Sequence, residues 1–198
     1  MKFLVFGDVH EDTKKIAALV KRAKQDDVEF IICVGDISTF GTGLKYVLNK
    51  FNKIGKPFYV IPGNHEEKTL HDVIKDYENC HYLHENAQKV GKYIFLGYGG
   101  GGFAQEDKQF RKVSREWYGK YNGNKNLILV THMPPFGCKL DKLEMGHVGS
   151  KDYVKFIKRI TPKMVLCGHL HENEGVVEKI NGITMLNPGR EGKVIELP

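Results

Sequence analysis

The chain has 198 residues, 41% hydrophobic and 27% charged, with 30 lysines and arginines against 24 aspartates and glutamates for a net charge of +6. That size and balance describe one globular domain, 1–198, and exclude a disordered or fibrous chain. No apolar run approaches the roughly 18–20 residues of a membrane span, and the opening Met-Lys-Phe-Leu-Val-Phe-Gly-Asp lacks the long apolar stretch of a secretory leader.

Strand-like and helix-like segments alternate from the start. Lys2–Phe6 is a short apolar run, followed by Ile16, Leu19, Val20 and Ala23 at the spacing of one helix face, with Asp12 or Thr13 as its cap. A second run, 28–34, precedes a stripe at Leu44, Val47, Leu48 and Phe51. A third, 58–61, precedes Leu70, Val73, Ile74 and Tyr77. This βαβαβα order predicts parallel strands covered by helices. Segments 87–90 and 92–96 read as a hairpin around Gly91, and Phe110, Val113 and Trp117 mark a helix. A strand at 127–130 follows, then a helix face of Tyr153, Phe156, Ile157 and Ile160 capped by Ser150. A strand at 164–167 comes next, then a hairpin of 176–180 and 183–186 around Asn181-Gly182, and a last strand near 194–197.

Cys33, Cys80, Cys138 and Cys167 are too few and too scattered for a disulfide framework. Cys33 and Cys167 lie within apolar runs and read as buried free thiols of a reducing compartment, so a cytoplasmic protein is expected. The excess of lysine reads as a solvated basic surface. No basic stripe interleaved with aromatics is evident, so nucleic acid is not the expected partner.

What ends each core strand is more informative. The runs finish in Gly7-Asp8-Val9-His10, Gly35-Asp36, Gly63-Asn64-His65-Glu66, Thr131-His132 and Gly168-His169-Leu170-His171. The carboxyl ends of strands in an open α/β sheet form its ligand crevice, so these groups should converge. Singly, each has a plain structural use: a helix cap, a turn, a hydrogen-bonded histidine. Caps alone would favour Ser and Thr as readily, and would need no histidines. Oxygen and imidazole donors without thiolate suit divalent Mn, Fe, Co, Ni or Zn. The candidates Asp8, His10, Asp36, Asn64, His132, His169 and His171 exceed what one tetrahedral ion uses, which argues for two metal ions. Two divalent cations outweigh the two aspartates and leave the centre attractive to an anionic phosphate.

In order and residue type, these motifs resemble the five-motif signature of the calcineurin-like metallophosphoesterases, across positions 7 to 171. The short chain and Thr131-His132-Met133-Pro134-Pro135 are similar to small prokaryotic members. The resemblance implies a two-sheet mixed β-sandwich flanked by helices. It implies one metal held by Asp8, His10, Asp36 and His171 and another by Asp36, Asn64, His132 and His169, with Asp36 bridging. His65 matches the family's proton donor or transition-state stabiliser, so His65 and Asp36 are the expected catalytic residues. Two divalent ions are the expected cofactors, manganese foremost in vitro, and a small phosphoester, a nucleotide among the candidates, is the expected substrate. Hydrolysis would use hydroxide made available near neutral pH by metal coordination, with an imidazole protonating the leaving alkoxide. The motifs do not separate monoester from diester hydrolysis. The alternatives are a nuclease on single strands and a non-catalytic metal-binding module, the complete ligand set speaking against the latter.

Outside the motifs, Glu66 reads as a supporting or helix-start residue rather than a ligand. His71, His81, His84 and His147 lack strand-end placement and read as surface residues, with His147 in a long loop that could reach the crevice. The Gly99–Gly102 stretch before Phe103 reads as a flexible loop, and 134–149 as a candidate lid with Phe136 and Met145 as contacts. Arg190 is a candidate phosphate fork, with a plain surface arginine the preferred reading.

Overall fold

The computed structural model describes residues 1–66 and 69–198. Two sheets form its centre. In the first, β1 (Lys2–Phe6), β2 (Phe30–Cys33), β3 (Phe58–Val60) and β4 (Cys80–Tyr82) run parallel in that order, and the final strand β13 (Lys193–Glu196) pairs antiparallel with the outer edge of β1. Strand order advances in one direction here, so crossovers of one hand keep their helices on one face. These are α1 (Thr13–Ala23), α2 (Leu44–Asn52) and the short α3 (Leu70–Val73). The opposite face is left free for a second sheet.

That second sheet has the order β11-β12-β10-β7-β6-β5. Its members are β5 (Asn86–Val90), β6 (Tyr93–Tyr98), β7 (Leu127–Thr131), β10 (Met164–Leu166), β11 (Val177–Ile180) and β12 (Ile183–Leu186). The strands β6, β7, β10 and β12 run parallel, and the hairpin partners β5 and β11 close the edges antiparallel. The β11–β12 turn has positive φ at both Asn181 (50°) and Gly182 (83°), the hairpin geometry that Asn-Gly favours. Helices α4 (Lys108–Tyr121) and α5 (Lys151–Ile160) cover the outer face. The expected mixed α/β sandwich flanked by helices is what forms.

The period-two geometry of strands divides each apolar run between two cores. Phe3, Val5, Phe30, Ile32 and Val34 point inward to the other sheet's Phe95, Ile128, Val130 and Leu166. Leu4, Phe6, Ile31 and Cys33 point outward to Ile16, Leu19, Val47 and Phe51 of α1 and α2. Burial on both faces is why these strands read as continuous hydrophobic runs rather than alternating ones. Asp12 accepts the amides of Lys14 and Lys15 at 2.9 and 3.1 Å, and Ser150 Oγ accepts that of Tyr153 at 3.3 Å, so both expected caps are in use. All four cysteines are buried and free, and no described helix is long and apolar enough to cross a membrane.

Three sequence expectations need correction. The stripe from Leu70 to Tyr77 gives only the four residues of α3 and a 3-10 turn (Ile74–Asp76). The cause is β4, which the sequence reading missed because three residues carry no legible period. Asn79, just before it, is fixed by Asn52: its amide donates to Asn52 Oδ1 at 2.9 Å and its Nδ2 to Asn52 O at 3.1 Å. No further helical turn fits. Third, 134–149 is a fastened segment rather than a free lid. Asp141 is fully buried and accepts the amides of Gly137, Cys138 and Gly149 at 2.9–3.1 Å and Nδ1 of His147 at 2.7 Å. A 3-10 turn (Lys139–Asp141) and the short β8 (Lys142–Leu143) and β9 (Gly146–His147) complete it.

Between the sheets, Phe3, Phe30 and Phe95 pack ring on ring, with centroids 4.9, 5.6 and 5.5 Å apart. Phe95→Ala should therefore lower unfolding free energy by about 3–5 kcal/mol in a denaturant titration. A loss below about 1 kcal/mol would show that the sheets are not joined through this cluster.

Candidate metal centre

The parallel strands of both sheets end on the same side of the sandwich. There β1 delivers Asp8 and His10, β2 Asp36, β3 Asn64 and His65, β7 His132, and β10 His169 and His171. Every one of the sequence-predicted groups arrives at this one place.

Asp36 stands at the middle. Its Oδ2 lies 3.4 Å from His132 Nε2, 3.8 Å from His10 Nε2 and 3.9 Å from His65 Nε2, and its Oδ1 accepts the His65 amide at 3.1 Å. On one side, Asp8 accepts the His169 amide at 3.0 and 3.1 Å and lies 3.9 Å from His171 Nε2, which is 3.4 Å from His10 Nε2. On the other, Asn64 Oδ1 is 3.1 Å from His132 Nε2. Three groups each bring their ligand atoms within 4.8 Å of one another: Asp8–His10–His171, His10–Asp36–His65 and Asp36–His132–His169. His65, expected as a proton donor or transition-state stabiliser rather than a ligand, thus stands in one of them as well.

Hydrogen-bond accounting tests whether these residues fit divalent ions. His132 is fully buried, and its Nδ1 donates to the Val34 carbonyl at 2.8 Å. Its Nε2 is therefore the nitrogen turned toward Asp36 Oδ2 and Asn64 Oδ1, where either a proton on Nε2 or a cation must lie between it and those oxygens. His169 Nε2 and His65 Nδ1 are buried nitrogens without a hydrogen-bond partner. Buried acceptors of this kind are costly unless something electron-poor lies between them. A cation between them would satisfy Nε2 of His132 and of His169 with the oxygens of Asp36 and Asn64, while Nδ1 of His65 lies on the side of its ring away from Asp36. The set of imidazole, carboxylate and carboxamide donors suits a divalent transition metal.

Charge among the protein groups alone points the same way. Burial pushes the Asp8 carboxyl up to about 6, against the opposing pull of His132. Burial pushes His169 down to about 4 and also lowers His10. Burial would lower His132 too, but its bond to Asp36 outweighs that and lifts it to about 9. Asp36, raised by burial, is held below the ordinary range by the same histidine. Without a cation the charge of the centre is thus held in the Asp36–His132 pair, with His169 and His10 kept neutral, and a bound cation would take the place of the His132 proton.

The backbone is bent to bring them there. Asp8, His10, Asp36 and His169 have φ of 56°, 41°, 52° and 73°, the left-handed region that non-glycine residues enter only where surrounding structure enforces it. Two glycines make room. A side chain on Gly35 would meet His132 Nδ1 and the Gly63 backbone, and one on Gly63 would fall inside the Asp36 carboxylate. Only glycine lets β2, β3 and β7 close on one another this tightly.

Glu66 is buried and holds the framework rather than facing the cluster. Its Oε2 accepts the amides of Asp36 and Gly63 at 3.1 and 3.0 Å, and its Oε1 accepts the Ser38 amide and hydroxyl at 2.6 and 3.0 Å. Burial, with the Asp36 charge beside it, pushes Glu66 up to about 7, while the hydrogen bonds from Ser38 and Gly63 favour the ionised form. The supporting role expected of Glu66 is what its contacts show. Ser38 was not legible, because one serine after a Gly-Asp has no pattern.

Other sequence candidates lie elsewhere. His71 and His81 are exposed. His84 is not a plain surface residue: its Nδ1 accepts the Gly99 amide at 2.8 Å. Gly100 N donates to Pro62 O at 2.8 Å, so the first two glycines of that stretch are fastened rather than free. His147 is bound to Asp141, with the Phe136 ring 5.7 Å away. Arg190 is paired with Glu174 at 2.8 Å, in keeping with a surface arginine. Two exposed rings at the rim went unremarked as site residues. Phe40 lies 4.5 Å from the His65 ring and Phe103 4.9 Å from the His169 ring, centroid to centroid.

Comparison with known proteins places these features in a family. The model of the calcineurin-like phosphoesterase family matches residues 1–173. Protein MJ1162 of Methanocaldococcus jannaschii is 27% identical over 199 residues, covering 95% of this chain and 88% of that protein. Among solved structures, TT1561 of Thermus thermophilus superposes with a TM-score of 0.77 at 15% identity, covering 98% of this chain and 97% of that one. A dimetal phosphatase from Danio rerio gives 0.61 at 12% identity, covering 93% and 86%.

If Glu66 holds the donor strands in register, Glu66→Gln sets an amide donor against backbone N–H groups. Affinity for Mn²⁺ measured by calorimetry should then fall about 10- to 100-fold with the ligands themselves intact. Unchanged affinity would show that the strand ends are positioned without it.

Proposed function

The chain belongs to the calcineurin-like phosphoesterase family, and from that membership and the geometry of its strand ends we propose that it is a hydrolase of phosphomonoesters or phosphodiesters using two divalent metal ions. The observation that carries this reading is the meeting of imidazole nitrogens from both sheets on a single buried carboxylate, that of Asp36. Asp8, His10, Asp36 and His171 would hold one ion, and Asp36, Asn64, His132 and His169 the other, manganese being the ion for loading in vitro. When bound, such a pair supplies Lewis acidity toward a phosphoryl oxygen and lowers the pKa of coordinated water.

The chain's own residues do the rest. The Val34 carbonyl fixes the His132 tautomer, so Nε2 is always the nitrogen offered to the centre. Asp8 is locked by the His169 amide and cannot swing out to solvent. His65 lies at the rim, partly exposed, with Nε2 toward Asp36, its backbone amide bound to that carboxylate. A group so placed can deliver a proton to a leaving alkoxide without being buried beneath it. Two divalent ions held there would outweigh the charge of Asp8 and Asp36 and make the centre attractive to a phosphate anion.

A second role for His65 has its own support, since it groups with His10 and Asp36 closely enough to share an ion. His65→Ala separates the two. As proton donor, its loss should leave two metal ions bound per chain and reduce turnover of an alkyl phosphoester by about 10²- to 10⁴-fold, while p-nitrophenyl esters, whose leaving group needs no proton, lose far less. Loss of an ion, with equal damage to both substrates, would make it a ligand instead. The hydrolase reading itself is tested on Mn-loaded protein with p-nitrophenyl phosphate and its bis-ester. Turnover of at least one, abolished by chelation, is expected, and turnover of neither would contradict it.

A further inference from the structure

Among the described residues, five large apolar side chains are exposed, and two of them, Phe40 (78%) and Phe103 (64%), have their rings against imidazoles of the metal centre. Single exposed apolar residues are ordinary and need no cause. Phe40 is different because the backbone is strained to present it. Residues 39–42 form a tight turn closed by Thr42 N donating to Thr39 O at 3.0 Å, with φ of 51° at Phe40 and 83° at Gly41. Positive φ at both central positions is the turn geometry that Asn, Asp or Gly normally occupies, and a bulky aromatic residue there is an outlier.

Among the described residues the one ring against it is that of His65, and most of its surface is left in solvent. Both ends of the turn are nonetheless secured. Thr39 N donates to Glu11 Oε2 at 2.7 Å, and Gly41 O accepts Leu44 N at 3.3 Å at the start of α2. The ring is therefore held, tilted 39° over His65. On its outer side a cleft of about 400 Å³ opens, lined by Phe40, Leu44, Tyr46, Thr69 and Val73. It is broad and open to solvent, with a mostly apolar lining to which Lys45 and Thr69 add polar groups.

We propose that Phe40 and this cleft receive a planar ring carried by the ester group of the substrate, a nucleobase in its biological form, so that the centre prefers nucleoside phosphoesters to aliphatic ones. The inference rests on the phosphoesterase reading above and adds the substrate class. An ester group departing past His65 lies beside Phe40, and an aromatic face there stacks on a base without needing its sequence of donors and acceptors. Phe103, against His169 on the far group, is the control. A base docked at Phe40 does not depend on it.

Calorimetric titration of Mn-loaded protein with adenosine 5′-monophosphate, ribose 5-phosphate and inorganic phosphate tests this without relying on turnover. The wild type should bind the nucleotide about 10-fold or more tightly than ribose 5-phosphate, the scale of one base on one aromatic ring. That ratio should fall toward one in Phe40→Ala and persist in Phe40→Trp and Phe103→Ala; a ratio cancels any general loss of binding. Equal affinities in the wild type, or a ratio that survives Phe40→Ala, overturn the assignment while leaving the phosphoesterase reading intact. If Mn-loaded protein binds none of the three anions, the phosphoesterase reading falls and this inference with it.

Discussion

One buried carboxylate facing three imidazoles is the constraint around which the molecule is arranged. Asp36 is 3% exposed, and the histidines nearest its Oδ2 come from β1, β3 and β7, that is, from both sheets. Such an arrangement exists only if the two sheets pack with their carboxyl ends level, and the apolar layer between them sets that level. Phe3, Phe30 and Phe95 at one depth and Val34, Ile61 and Val130 near the strand ends belong to the same buried layer. Hydrophobic packing, which has no interest in chemistry, thereby fixes polar atoms to within a hydrogen bond's length.

The cost of the arrangement is visible in the backbone. Left-handed φ at Asp8, His10, Asp36 and His169, and donor-starved nitrogens on His65 and His169, are features that a chain selected for stability alone would lack. They are held in place by neighbours that do not touch the centre's interior. Glu66 binds the amides of Asp36 and Gly63 and so ties β2 to β3, and the Val34 carbonyl orients His132 across the sheet boundary. Local conflict at the strand ends, with consistency everywhere else, is the pattern expected of a functional site.

How much of this the amino-acid sequence revealed follows from which signals are periodic. Strands buried on both faces show as apolar runs, and α1, α2, α4 and α5 show as stripes at helical spacing, so the layers and most elements were legible. The strand-end residues Asp8, His10, Asp36, Asn64, His65, His132, His169 and His171 were legible because the same kind of group ended strand after strand. The structure brings all of them together. The three-residue β4 and the shortened α3 were not, since their extent depends on Asn52 holding Asn79 across the chain. Nor was the fastening of 134–149, which hangs on Asp141, an aspartate indistinguishable in sequence from a solvated one. Phe40 escaped for a similar reason: a phenylalanine among turn residues shows its strain only through φ, and its purpose only through the imidazole beneath it.

The central claim is that one side chain unites two cation sites. Anomalous diffraction from crystals of the protein soaked in Mn²⁺ measures this directly. The account predicts two peaks, roughly 3.5–4 Å apart, as in two-metal phosphoryl-transfer centres, with Asp36 in contact with both. A single peak, or two peaks neither of which touches Asp36, would contradict it.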